Sequence, residues 1–184
     1  MSYWNSRGLR GSSLEELLNL TNEEYRRQNL ALIQKIPTPI KPLEIDQEKR
    51  VIKLAYFDQK STVDYIGVMA SIPLCFDAKE CGKASLPFSN IHPHQIAFMH
   101  DFAEQGGLSF LLVHFTRYQE YYVLPLEVLE FYYKEFEKGT GRSSIPYEAF
   151  SKKLLVPQTE KPYINYLATA LEYRKMKING ESFV

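Results

Sequence analysis

Three residues in one short stretch could do chemistry together: Asp64, Asp77 and Lys79. Each stands in an apolar run that reads as a strand, Val63 to Val68 for the first and Ile72 to Lys79 for the second. Side chains alternate along a strand, so Asp77 and Lys79 point to one face. If Ala70-Ser71 folds the two runs back as a hairpin, Asp64 reaches that face too. Two carboxylates and an ammonium in one place suit a magnesium-dependent phosphodiester nuclease. The carboxylates hold the metal, and the lysine orients water or offsets developing negative charge. A solvated strand face, where acidic and basic residues alternate, is the competing explanation of an Asp-x-Lys triplet. Against it, Phe76 and Ala78 flank Asp77, and Leu74 and Cys75 precede it.

The whole chain sets limits on that chemistry. A length of 184 residues fits a single domain with a sizeable core. Hydrophobic and charged fractions of 45% and 24% are ordinary for a globular protein. The formal net charge is zero, so a nucleic-acid partner requires a local basic patch. Two cysteines, Cys75 and Cys81, give neither a disulfide framework nor a four-cysteine zinc site. His92, His94, His100 and His114 match no established zinc-ligand spacing. No apolar run has the length of a membrane span and no signal-peptide pattern opens the chain, so a cytoplasmic protein is expected.

The elements that must position the three residues follow in order. Residues 1–11 are polar with Arg7 and Arg10, a mobile arm by composition, or an arm whose arginine forks contact phosphate. Ser12-Ser13-Leu14-Glu15 predicts a helix with Ser12 as N-cap and Glu15 at N3, and Leu14, Leu17, Leu18, Thr21 and Tyr25 as its buried stripe. Ala31 to Lys35 reads as a short strand. Pro37, Pro39 and Pro42 then impose an extended backbone on a long loop, residues 37–53, that carries Lys41, Lys49, Arg50 and Lys53. Arg50 to Phe57 regains strand character, and Leu86-Pro87-Phe88 is a further short extended piece.

Pro93 starts a helix that Gly106-Gly107 ends. Leu108 to Phe115 is a strand buried on both faces, with Tyr121 to Leu124 as its neighbour. Helices are expected over Leu126 to Lys138, Pro146 to Lys153 and Tyr163 to Lys177, the last within a helical tail from residue 154 to 184. The pattern is α/β: a mixed sheet flanked by helices, without internal repeats.

In these residues the chain resembles the RecU family of Holliday junction resolvases of Gram-positive bacteria and their phages. Arg10-Gly11, Leu14-Glu15 and Asn19 resemble the opening helix of that family. Lys35 to Ile40 resembles its entry into a projecting stalk. Ala55-Tyr56-Phe57 with Ser61 to Gly67 resembles its first catalytic strand, Asp77 to Glu80 its second, and Phe88 to Ile96 the segment after them. The matches run in order from about residue 10 to about residue 150.

The resemblance implies a restriction-endonuclease-like core of the PD-(D/E)xK type with a projecting stalk. It also implies a homodimer that makes symmetric nicks in four-way DNA junctions with magnesium, or manganese in its place, during recombination and repair. Asp64, Asp77 and the Ala78 carbonyl would be the metal ligands, Lys79 the catalytic lysine, and Glu15 and Gln95 assisting residues. Arg10, Lys35, Lys41, Arg50, Lys53 and Thr62 would contact DNA, residues 37–53 would form the stalk, and a recombinase would be a further partner. The pattern departs from the family at four places. Asp77 stands where glutamate is usual, Val63 and Ile66 replace a usual threonine and asparagine, the turn Ala70 to Pro73 is no longer basic, and the stalk carries Glu44, Asp46 and Glu48. A related nuclease acting on duplex or branched DNA, and a DNA-binding recombination accessory protein that no longer cuts, are the alternatives.

Overall fold

The computed structural model describes residues 13–58, 62–160 and 163–183; the arm 1–11, with Arg10 and the proposed Ser12 cap, lies outside them. Its elements are helix α1 (Leu14–Arg27), strands β1 (Ala31–Lys35), β2 (Ile40–Asp46), β3 (Val51–Phe57), β4 (Tyr65–Met69), β5 (Ile72–Cys81) and β6 (Ser85–Pro87), helix α2 (Pro93–Glu104), strands β7 (Leu108–Phe115) and β8 (Glu120–Pro125), helix α3 (Leu126–Glu137), strands β9 (Ser144–Pro146) and β10 (Leu155–Val156), and helix α4 (Tyr166–Asn179).

Six strands form the central sheet in the order β1-β4-β5-β7-β8-β10. Only β5 and β7 run parallel, and the crossover between them carries α2; the other neighbours are antiparallel. The sheet is therefore mixed, with one parallel pair at its centre. Every residue of β7 is buried, as expected of a strand covered on both faces. Helices α1 and α4 close one face around Phe76, Phe110 and Tyr166, while α2 and α3 close the other around Cys75, Leu111 and Val113. On the first face Tyr65, Phe76 and Phe110 stack in a row, with centroids 4.8 and 5.1 Å apart. Tyr25 of α1 donates a 3.1 Å hydrogen bond to the Ile164 carbonyl, tying the first helix to the segment that leads into α4.

Local chemistry explains these elements, and in four places corrects the expectation. The pattern Ser-x-x-Glu occurs twice in succession, and the second copy is used. Ser13 is the N-cap and Glu16 stands at N3, with Ser13 N–H donating to Glu16 Oε2 (3.0 Å) and Glu16 N–H to Ser13 Oγ (3.3 Å). Glu15 is thereby released from capping and points elsewhere. Residues 37–53 are not a loop: they belong to the β2–β3 hairpin, a separate two-stranded sheet running to Phe57 and exposed almost throughout. Pro146 to Lys153 is not a helix but two single 3₁₀ turns, Tyr147–Ala149 and Lys152–Leu154, because Phe150 and Ser151 between them take extended backbone that breaks the helical ladder. The tail is not wholly helical. It opens with β10 on the sheet edge and becomes helix only at Tyr166, whose face buries Tyr166, Ala170, Tyr173 and Met176.

The β4–β5 hairpin decides the geometry of the candidate site. Ala70 and Ser71 both adopt positive φ, +46° and +65°, the two-residue turn whose twist matches paired strands. That turn fixes the register Met69↔Ile72 through Tyr65↔Phe76.

Candidate active site

Strand β4 begins at Tyr65, so β5 runs on past it from Asp77 to Cys81 without a ladder partner on that side. One position beyond the last pair, Asp64 comes opposite Asp77. Its Oδ2 accepts a 3.0 Å hydrogen bond from Ala78 N–H, taking the place of the missing strand. The N–H and C=O of one strand residue point to the same side, so the Ala78 carbonyl faces this gap as well. Asp64 is held from the other direction too, because its own carbonyl accepts from Ile36 N–H at 2.8 Å.

Asp77 is completely buried. Its strand position turns it to the face of α2, where Gln95 Nε2 donates to Oδ1 at 2.7 Å. Lys79 Nζ lies 2.5 Å from Oδ2, yet no donor is aligned on that oxygen for a hydrogen bond. Burial, and next the nearby Asp64 carboxylate, push the Asp77 carboxyl up to about 7, partly offset by Lys79. This is a carboxylate short of positive charge. Gln95 Oε1 accepts from Lys79 Nζ (3.4 Å) and from His92 N–H (3.1 Å), which caps α2.

On the opposite face, a cleft of about 220 Å³ is lined by Ser13, Glu15, Lys35, Asp64, Ala78 and Glu80, among others. Glu15 pairs with Lys35 across it. Glu80 alternates with Lys79 and so faces this cleft, where it meets His114 Nδ1 at 3.1 Å. Glu80 and His114 are not among the residues that the sequence singles out for the site, although the period of two already places Glu80 opposite Lys79.

The structure thus brings Asp64, Asp77, Ala78, Lys79 and Gln95 together, with Glu15 and Lys35 on the adjoining cleft. Thr62 is half-buried just before Val63, whose side chain is in the core. Lys41, Arg50 and Lys53 stand apart on the β2–β3 hairpin. Arg50 occupies its turn with φ +53°, and Lys53 lies 3.5 Å from Glu44 and 3.6 Å from Asp46, which offset its charge. Among the described residues no group of three or more His, Cys, Asp or Glu side chains is arranged to hold a metal. The donors at the centre are two carboxylates and a carbonyl. That set fits a hard cation that keeps several waters, and Asp77 Oδ2, ion-paired with Lys79 but without an aligned hydrogen-bond donor, is an oxygen such a cation would satisfy.

The family model described as Recombination protein U matches residues 9–172. The chain belongs to the RecU family. Among curated relatives named Holliday junction resolvase RecU, that of a Geobacillus species is 44% identical over 143 residues, covering 76% of this chain and 71% of that one. Those of Leuconostoc mesenteroides and Oceanobacillus iheyensis are 39% identical over 165 residues and 40% over 164. They cover 87% and 86% of this chain, and 79% and 83% of their own. A solved structure of Archaeoglobus fulgidus Hjc, a Holliday junction resolvase, overlaps 62% of this chain and 72% of that one at 10% identity and TM-score 0.35, a likeness too slight to carry weight. The family's span includes both strands of the candidate site, α2 and the first half of α4.

Proposed function

We propose that this protein is a Holliday junction resolvase: a divalent-metal-dependent endonuclease with a restriction-endonuclease-like core of the PD-(D/E)xK type, nicking four-way DNA junctions. The observation that carries the reading is the group at the end of β4: Asp64 opposite a fully buried Asp77, with Lys79 beside it. A solvated strand face does not bury its carboxylate or raise it toward neutrality. The names of the relatives supply the four-way junction as the substrate.

Asp64, Asp77 and the Ala78 carbonyl would hold magnesium, or manganese in its place. When bound, the metal supplies a more acidic water and a positive charge against the phosphate. The chain's own groups do the rest. Lys79, with its side chain only 15% exposed, keeps an ammonium where charge builds on the phosphate oxygens. Burial of Asp77 excludes bulk water and strengthens that interaction. Hydrolysis adds one water across a P–O ester bond, the hydroxyl to phosphorus and the proton to the departing oxygen.

Two nicks placed symmetrically call for two centres, and a two-fold homodimer supplies them with one gene product. The β2–β3 hairpin is the stalk in this reading. An isolated two-stranded hairpin is marginal in water, and this one exposes Leu43, Ile45, Ile52 and Leu54, which need a partner or the junction to cover them. Side-by-side digestion of a four-way junction, a fork and a duplex of equal sequence tests the proposal. Magnesium-dependent nicking confined to the junction is expected; equal cutting of duplex would make the protein a different nuclease of the same core.

A further inference from the structure

The end of the sheet that carries Asp77 and Lys79 continues sideways into the β7–β8 turn. Strand β7 runs parallel to β5, with Val113 level with Lys79 and Phe115 level with Cys81. Thr116 N–H then donates to the Cys81 carbonyl at 3.0 Å, so the turn 116–119 abuts the loop that leaves β5. Thr116 lies about 10 Å past Val113, three residues at the strand rise. This end therefore presents Lys83 from one loop and Arg117 from the next. Both are exposed, and neither is in an ion pair among the described residues.

The turn is braced from several sides. Tyr118 N–H donates to the Phe115 carbonyl at 3.0 Å, Gln119 Nε2 to the Thr116 carbonyl at 2.6 Å, and Gln158 Nε2 to the Gln119 carbonyl at 2.6 Å. The Arg117 guanidinium lies 5.8 Å from the centre of the Tyr118 ring, which stands 4.2 Å from that of Tyr147. Tyr147 is held in turn: its hydroxyl donates to Glu120 and accepts from Lys152 Nζ at 2.7 Å. Lys152 also pairs with Glu120 at 3.1 Å, so the one carboxylate in this support is already offset. A guanidinium propped on a ring above a fixed turn has less freedom to lose on binding.

We propose that Lys83 and Arg117, the latter propped on Tyr118, hold the phosphate backbone of a duplex arm beside the cutting centre. The inference rests on the reading of Asp64, Asp77 and Lys79 given above, and adds the path of the arm: past the end of β5 and over the β7–β8 turn, on the side of the sheet away from β1 and the hairpin that follows it. With a net charge of zero, the chain depends on local positive groups to hold DNA. Duplex carries one negative charge for about every 1.7 Å of its axis, so on the order of six lie along the ~10 Å between Lys79 and the turn. The arginine fork takes two phosphate oxygens at once. Such contacts position an arm without choosing its sequence.

Gel-shift titration across a salt series, without magnesium so that nothing is cut, tests this. Lys83→Gln combined with Arg117→Gln should weaken binding of a four-way junction and of a plain duplex alike, on the order of 3- to 10-fold. The log-log salt slope should become shallower by about two units, one for each phosphate released. Lys175→Gln combined with Lys177→Gln removes the same charge from α4 at the other end of the sheet, where Tyr173 donates to the Ser109 carbonyl, and should leave affinity and slope at wild-type values. An unchanged slope in the Lys83 and Arg117 variant would overturn the proposal. So would an equal loss in the α4 variant, which would mean bulk charge and not contact. Wild type is assayed for cutting alongside. If it does not nick the junction with magnesium, the reading of the centre fails and this proposal with it; if it does while the Lys83 and Arg117 variant binds as wild type, only this surface fails.

Discussion

Asp64 and Asp77 stand opposite each other just where β4 stops and β5 continues, and Asp64 Oδ2 accepts from the Ala78 amide at 3.0 Å. The sheet thus ends in a notch whose open backbone is closed by a carboxylate instead of a strand. Burial of Asp77 first, and then the nearby Asp64 carboxylate, conflict with ionisation of Asp77. A bound cation would remove the conflict. The notch is therefore less comfortable empty than filled, which is the property a metal-dependent nuclease requires.

That conflict has a pH signature in the metal-free protein. The Asp77 carboxyl is raised from the ordinary value to about 7, so between about pH 4 and 7 the native state holds a proton that the unfolded chain has released. Stability should fall as pH rises through this window and level off above it. Asp77→Asn removes the slope. It should match wild type near pH 4 and exceed it at pH 8 by roughly 1–3 kcal/mol, a discounted share of about 1.4 kcal/mol per pH unit. Melting curves without metal at both pH values check this; equal stability of the two proteins at pH 8 would contradict it.

Lys79→Ala should abolish cutting while leaving junction affinity within a fewfold of wild type. Phosphate contacts elsewhere supply most of the binding, whereas the largely buried ammonium serves the reacting group. Gel-shift titration beside single-turnover cleavage distinguishes the two effects. Parallel loss of binding and cutting would move Lys79 from chemistry to general affinity.

Gly67→Ala should destabilise the fold by about 2–3 kcal/mol, as overpacking does. A Cβ on Gly67 would lie 2.2 Å from the Leu32 carbonyl oxygen and 2.8 Å from Ile33 Cα, so β1 must move away from β4. Lys35 moves with it, opening the cleft it shares with Asp64. Chemical denaturation measures the loss, and an unchanged midpoint would mean the edge strand is far more pliable than its pairing implies.

Replacing Lys41 to Tyr56 by a short Gly-Ser link should leave the core folded. Hardly any of the hairpin's surface is buried, and Asp58 N–H already closes its base on the Pro39 carbonyl at 3.0 Å. Junction affinity should drop, and its dependence on salt should become shallower by about one unit of log-log slope for each phosphate that is no longer neutralised. Unchanged affinity and slope would remove the hairpin from substrate recognition.

Much of the site's placement was legible in the sequence because strand alternation is rigid. Asp77 and Lys79 had to share a face, and a two-residue turn at Ala70-Ser71 had to bring Asp64 opposite. The hairpin β2–β3 was harder to read, since its apolar residues line both faces and show no buried side. Ser13 could not be chosen over Ser12 by pattern, as both begin Ser-x-x-Glu; the cap observed is Ser13 with Glu16. Short β10 and the backbone at Tyr147 bond partners far along the chain, Tyr122 and Ala84, which no local pattern announces. The same is true of Gln95, whose bond to Asp77 joins residues 18 apart.

The central claim is that Asp64 and Asp77 hold a metal for cutting four-way junctions. Gel-resolved cleavage of a mobile junction by wild type and Asp64→Asn, each with and without magnesium, tests it most directly. Asparagine can still accept from Ala78 N–H, so the variant keeps its fold and loses only the charge. Paired, symmetric nicks are expected from wild type with magnesium, and none in the other three reactions. Nicking by Asp64→Asn at the wild-type rate, or by wild type in chelator, would contradict the claim.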